Sequence, residues 1–189
     1  MPLPLRCIVM LWVGWLLIWL VTAPFVARTV VRPGIGELLA DRLLLWGGAM
    51  LLMVRGSGLL LRALSAGPWE GWACLAPVLV GLALAVWARL RLGRNWSPMP
   101  ALKEAHQLVR AGPYGLVRHP IYAGMLLALA GTALAVGTPA ALAGLAVMAG
   151  GLALRIRREE AFLLGRFGDA YRAYRADVPA VVPRLGPRR

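Results

Sequence analysis

The run from Cys7 to Ala27 contains no charged residue and consists mainly of aliphatic and indole side chains. Hydrocarbon offers no partner for backbone N–H and C=O groups, so a stretch of this kind crosses a bilayer as a helix, which takes about 20 residues. It is too long and too rich in Trp for a cleaved leader, and no small-residue cleavage site follows a short apolar core. A retained membrane helix is expected. The rest of the chain keeps the same character: 60% of its 189 residues are hydrophobic, more than an ordinary soluble domain carries.

Four further apolar segments follow. Leu43 to Leu64 contains Arg55 and Arg62, and Trp69 to Leu90 has Trp69, Trp72 and Trp87 near its ends, where indole rings favour the interface. Ile121 to Val136 and Pro139 to Leu154 are shorter and separated by Gly137-Thr138-Pro139, which suits a tight helical hairpin. Both are rich in small residues, including Ala128, Gly131, Ala135, Ala143, Gly144, Gly150 and Gly151. Such residues let helix backbones approach closely in lipid. The expected fold class is all-α: a polytopic membrane protein of about five transmembrane helices. The expected division is 1–91 for the first three helices and 92–189 for the helical hairpin and a C-terminal helix.

The net charge of +13 does not point to nucleic acid, because the arginines flank apolar spans and do not cover a soluble face. The segment from Arg89 to Arg118 and the tail after Leu154 hold most of them. Positive flanks stay in the cytoplasm. Five spans place both segments on that side, together with the first loop and its Arg28, Arg32 and Arg42. The N-terminus and the turn at Gly137 to Pro139 then lie outside. Arg55 either lines a polar cavity or ends the second span early. The second option is preferred, because Gly56-Ser57-Gly58 follows and weakens a helix. Cys7 and Cys74 lie in apolar spans and read as small apolar residues. The two histidines, His106 and His119, have no acid or thiol at ligand spacing, so no metal site is expected.

The polar information sits in two places. Gly112-Pro113-Tyr114 makes a turn, and Arg118-His119-Pro120 leads into the fourth span. Pro120 suits a first helical position, and the free amides of that helix start can face an anion or carboxylate. Tyr122 and Gly124 fall in the first turn, close enough to line the same pocket. The second unit begins where the fifth span ends. Arg155 and Glu159 share a helix face, Glu160 lies beside them, and Phe162, Leu163, Phe167 and Tyr171 form an amphipathic stripe. On composition alone this arrangement reads equally as a solvated ion-pair face, worth only ~0.3–0.5 kcal/mol per pair.

Together, Gly112-Pro113-Tyr114, Arg118-His119-Pro120-x-Tyr122-x-Gly124, Arg155-(x)3-Glu159-Glu160 and Phe167-Gly168-(x)2-Tyr171-(x)2-Tyr174 resemble the isoprenylcysteine carboxyl methyltransferase family. They are also similar to the wider group of membrane methyltransferases that includes bacterial phospholipid N-methyltransferases. The resemblance covers Leu92 to Pro183; the first two spans carry no family signature. It implies a helical membrane enzyme whose cytoplasmic pocket, built from the last helices and the C-terminal segment, binds S-adenosylmethionine and releases S-adenosylhomocysteine. No glycine-rich strand-turn-helix unit of the Rossmann kind is present.

Carried over by position, the resemblance implies cofactor contacts at His106, Gln107, Leu108, Val109, Tyr114, His119, Pro120, Ile121, Tyr122 and Glu159, with Arg155 on the acceptor side. Gln107 departs from the small polar residue common in the eukaryotic enzymes and is expected to contribute only its backbone. Glu159 can bind an ammonium or ribose hydroxyls, and a tyrosine face favours a sulfonium. His119 reads as a hydrogen-bonding pocket residue, with helix-entry capping as its alternative role. A carboxylate acceptor is already ionised at neutral pH, whereas an amine must first lose a proton, for which His119 and Glu160 are the candidate bases.

The expected function is methylation of a lipophilic carboxylate that enters from the bilayer. The rivals are phospholipid amine N-methylation and, in another class, a non-enzymatic membrane carrier or scaffold. The Arg/Ala/Leu-rich composition reads as prokaryotic, which points to a bacterial inner membrane. Membrane lipids are the expected surroundings. Acceptor identity and oligomeric state are not legible in the sequence.

Overall fold

A computed structural model describes residues 2–23, 35–53, 70–93 and 108–184. Its elements are α1 (Leu3–Thr22), α2 (Ile35–Met53), a single turn α3 (Glu70–Ala73), α4 (Leu75–Leu92), a 3-10 turn (Gly112–Gly115), α5 (Pro120–Val136), α6 (Pro139–Phe167) and α7 (Asp169–Asp177). No strand occurs among the described residues.

Three helical stretches, Leu3–Thr22, Gly71–Leu92 and Pro139–Phe167, are long and apolar enough to cross a membrane, and α5 is a shorter apolar helix. Large apolar side chains stand on the outside: Met10, Val21, Leu43 and Met53 are all exposed. Contiguous apolar surface of this kind is costly in water and ordinary against lipid. The chain is an integral membrane protein.

The second span differs from the hydropathy reading. α2 starts at Ile35, well before Leu43, so Asp41 and Arg42 lie within the helix and not in a loop. Arg55 lies outside the described residues, as do Arg28 and Arg32.

The hairpin has the expected form. Gly137 ends α5 in the left-handed region (φ 67°), and its N–H donates to Ala133. Thr138 then caps α6, its hydroxyl accepting from the Ala141 N–H at 3.1 Å, and Pro139 occupies the first turn.

Two helix pairs make the body: α4 runs along α5, and α2 runs along α6. The first pair closes at Gly81 and Gly124, where a Cβ on either residue would collide with the carbonyl oxygen of the other. This corrects the sequence reading of Gly124, which faces α4 and not the pocket. The second pair closes at Gly144, whose absent Cβ would sit 2.6 Å from the Gly48 carbonyl oxygen. Gly150 has no such neighbour, with nothing within 4 Å of its Cβ position. Leu52, Leu129, Ala133, Ala141, Met148 and Leu152 form the core between α2, α5 and α6. Ile8, Val78, Leu82 and Ala128 bring α1 onto the α4–α5 pair. Trp12 crosses from α1 to donate to the Thr132 hydroxyl at 3.0 Å.

Most of the described charged residues sit at one end of this body, opposite Arg6 and Glu70. Arg89 is buried at the end of α4 and donates to the carbonyls of Thr22 at 2.8 Å and Gly93 at 3.1 Å. It thereby places a cation against the C-terminal ends of α1 and α4, where the helix dipoles favour one. α6 has 29 residues, roughly 43 Å at the α-helical rise, against a hydrocarbon core of about 30 Å. Its last turns, from Arg155 onward, therefore project beyond the apolar layer. The continuous polar helix expected after Leu154 is instead broken at Gly168, whose φ of 51° turns the chain into α7.

Candidate active site

The turn before α5 and the chain after α6 are some sixty residues apart in sequence and fold as one unit. Pro113 fixes the 3-10 turn, and the amides of Leu116 and Val117 return to its carbonyl. Arg118 and His119 then run alongside the C-terminal segment: their backbone N–H groups donate to Pro179 at 2.8 Å and Ala180 at 2.9 Å. The Tyr174 hydroxyl donates to the Tyr114 carbonyl at 2.6 Å, and Arg110 reaches the Ala170 carbonyl while stacking on the Tyr174 ring. Tyr171, Tyr174 and Val178 form a small core with Leu108, Leu163, Leu164 and Phe167 packed on it. Burial pushes Tyr174 up to about 12, partly offset by Arg118 and Arg110. Burial also raises Tyr171 and Tyr114, and the Glu159 charge pushes Tyr114 further up. All three phenols stay neutral at physiological pH.

This unit delivers three side chains to the end of α6. The Arg118 guanidinium donates through Nε to Glu160 Oε1 at 2.9 Å, and through Nη1 to the carbonyls of Arg175 and Val178. His119 lies between the two glutamates, with Nε2 3.3 Å from Glu160 Oε1 and Nδ1 3.8 Å from Glu159 Oε2. Its side chain makes no capping bond to α5; only its carbonyl does, accepting from Ala123. Tyr122 stacks beside His119 with ring centres 5.7 Å apart. Its hydroxyl donates to Glu159 Oε2 at 2.9 Å and accepts from Arg155 Nε at 3.0 Å. Arg155 and Glu159 share a face as their spacing requires, and they are joined through Tyr122.

The charges are consequently sorted. Glu160 is 13% exposed and has Arg118, His119 and Arg175 around it. Glu159 is 31% exposed and presents the accessible carboxylate. Arg155 lies on the other side of the Tyr122 hydroxyl, its guanidinium 5.8 Å from the ring centre. A negative pole and a positive pole therefore flank one phenol.

The other sequence candidates fall around this centre. Pro120 is fully buried, Tyr114 is buried with its hydroxyl 3.5 Å from the Ala88 carbonyl, and Ile121 and Val109 are half-buried. Leu108 belongs to the Tyr171–Tyr174 core. His106 and Gln107 lie outside the described residues. Sequence reasoning missed Asp41, a buried acid on α2 whose Oδ1 accepts from Arg158 Nη1 at 2.8 Å. It also gave Arg118 a place in the motif and in the charge pattern but no role in the site. The one available signal was that Arg118 adjoins His119 in a motif of polar residues.

Residues 73–165 match the model of the isoprenylcysteine carboxyl methyltransferase family. Over that stretch the chain is similar to that family. Protein-S-isoprenylcysteine O-methyltransferase of Schizosaccharomyces pombe is 34% identical over 118 residues, covering 61% of this chain and 48% of that protein. The cobalt-zinc-cadmium resistance protein CzcN of Cupriavidus metallidurans is 33% identical over 123 residues, covering 62% of this chain and 54% of that protein. The chain thus spans about half the length of the relatives it matches. The fold is similar to that of the eukaryotic intramembrane Ras methyltransferase of the family, with a TM-score of 0.58 over 82% of this chain and 55% of the other, at 24% identity. The family match includes Tyr114, His119, Tyr122, Arg155 and Glu159 and excludes Asp41 and α7.

Proposed function

We propose that this chain is a member of that family, an S-adenosylmethionine-dependent methyltransferase that esterifies a lipophilic carboxylate entering from the bilayer. The observation that carries the reading is the pair of opposite poles, Glu159 and Arg155, on the two sides of the Tyr122 hydroxyl. A methyl donor that is cationic at its reacting atom and an anionic acceptor need that polarity.

The residues fit the donor. S-adenosylmethionine, when bound, supplies an electrophilic methyl group on a sulfonium. Glu159 would hold its ammonium or ribose hydroxyls, and the amides opening α5 would face its carboxylate. Tyr122 and Tyr114 would offer aromatic surface. His119, Pro120 and Ile121 would form the wall at the helix start, with His106, Gln107, Leu108 and Val109 contributing from the preceding segment. Segment 92–189 would hold this machinery, with helices 1–91 supporting it.

Arg155 would steer the acceptor carboxylate through paired N–H donors. Such an acceptor needs no base, so the protein's work is alignment and exclusion of water. Phospholipid amine methylation would need a free base, and Glu160, surrounded by Arg118, His119 and Arg175, is already engaged. The carboxylate reading is therefore favoured. The charged end of the body would face the cytoplasm of a bacterial inner membrane.

Membranes containing the protein, incubated with methyl-labelled S-adenosylmethionine, should yield a base-labile methyl ester. Stable N-methyl lipid would move the assignment to the amine rival. No lipid label, together with no S-adenosylhomocysteine binding, would leave a carrier or scaffold.

A further inference from the structure

We propose that Asp41, on α2 and outside the region shared with the family, is the positioning residue for the acceptor arginine; this rests on the acceptor role given to Arg155. Asp41 is 6% exposed. A carboxylate buried to that degree within a helix needs paired charge around it. Its two oxygens are divided between two arginines of α6: Oδ1 accepts from Arg158 Nη1 at 2.8 Å, and Oδ2 lies 3.9 Å from Arg155 Nη1. Arg155 and Arg158 are three residues apart, so they share a helix face and would repel each other without the acid.

The asymmetry gives the pair a use. Arg158 holds Asp41 by a hydrogen bond, which fixes the carboxylate. Arg155 feels that carboxylate at ion-pair distance without being closed onto it. Its Nε is held by Tyr122, and its Nη1 is drawn toward Asp41. The guanidinium plane is thus set by two elements. Among the described residues Nη2 has no hydrogen-bond partner, which leaves that edge for an incoming carboxylate. One acid facing two guanidinium groups also leaves a single net positive charge on the acceptor side, matching a singly charged anion. The N-terminal half of the molecule thereby sets acceptor affinity without touching the methyl donor.

The test uses the full chain in membranes, with N-acetylated S-farnesylcysteine as acceptor and saturating S-adenosylmethionine. Asp41→Asn should raise the acceptor KM about tenfold, the scale of a weakened partly buried charge contact. It should leave kcat and S-adenosylhomocysteine affinity within about twofold, and Asp41→Glu should recover much of the loss. Should Asp41→Asn fail to fold, Arg158→Gln gives the complementary reading. Asp41 then closes onto Arg155 and competes with the acceptor, so KM rises again with donor affinity intact. Active wild-type protein with an unchanged acceptor KM in the variants that fold overturns this inference alone, as does equal loss of donor and acceptor binding. Wild-type protein that neither binds S-adenosylhomocysteine nor methylates the probe overturns the functional reading, and this inference with it.

Discussion

Glu159 and Glu160 are neighbours on one helix, identical in chemistry, and the fold uses them in opposite ways. Glu160 is taken into a clamp of Arg118, His119 and Arg175 that fastens the turn before α5 to the end of α6. Glu159, one residue earlier, touches the same imidazole only at 3.8 Å and stays accessible, with Tyr122 as its hydrogen-bond donor. Two adjacent positions on a helix point about 100° apart. That rotation alone places one carboxylate between packed segments and the other at an open pole. Charge identity therefore says little about duty; the partners decide it.

Replacing each acid should separate stability from binding. The largest effect is expected for Glu160→Gln, which leaves the Arg118 guanidinium, 8% exposed, without its acid. Breaking a buried pair from one side costs about 3 kcal/mol, read as a lower thermal unfolding midpoint in detergent, with donor binding falling only as the fold is lost. A drop in midpoint no larger than that of Glu159→Gln would erase the distinction. Glu159→Gln should move the midpoint little but weaken S-adenosylhomocysteine binding by roughly ten- to a hundredfold, the size of one charge-assisted hydrogen bond. Arg155→Ala should raise acceptor KM about tenfold or more while sparing donor binding; equal loss of both would mean that the two poles do not act separately.

The smallest effect belongs to the seam that supports both glutamates. Tyr174→Phe removes the donor to the Tyr114 carbonyl, worth about 1 kcal/mol in the unfolding midpoint. The phenol of Tyr174 is raised from 10.0 to about 12, so its neutral form is the one the fold prefers. Its contribution is complete below pH 10 and fades as pH climbs toward 12. Midpoints measured across that window should fall less steeply in the Phe variant.

The helices and the α5–α6 hairpin were legible in the sequence because lipid demands long apolar runs, and Gly137-Thr138-Pro139 carries its own stop and start signals. The pairing of the Tyr122 segment with the Glu159 segment was legible only through motif order. What escaped depends on contacts with no local trace. Asp41 was passed over because the second span was placed from hydropathy alone and began after it, and nothing near it in sequence announces Arg158. Gly124 was assigned to the pocket by its nearness to Tyr122, although two residues along a helix is over half a turn, enough to aim it at Gly81. The break at Gly168 was hidden by the amphipathic stripe from Phe162 to Tyr171, which continues across it.

The central claim is that Glu159 is a donor-binding pole distinct from the structural clamp beside it. Isothermal titration of S-adenosylhomocysteine into detergent-purified protein tests it most directly. The account predicts saturable one-site binding, weakened at least about tenfold by Glu159→Gln and unchanged by Arg155→Ala. No binding by the wild-type protein at millimolar ligand, or full affinity retained in Glu159→Gln, would contradict it.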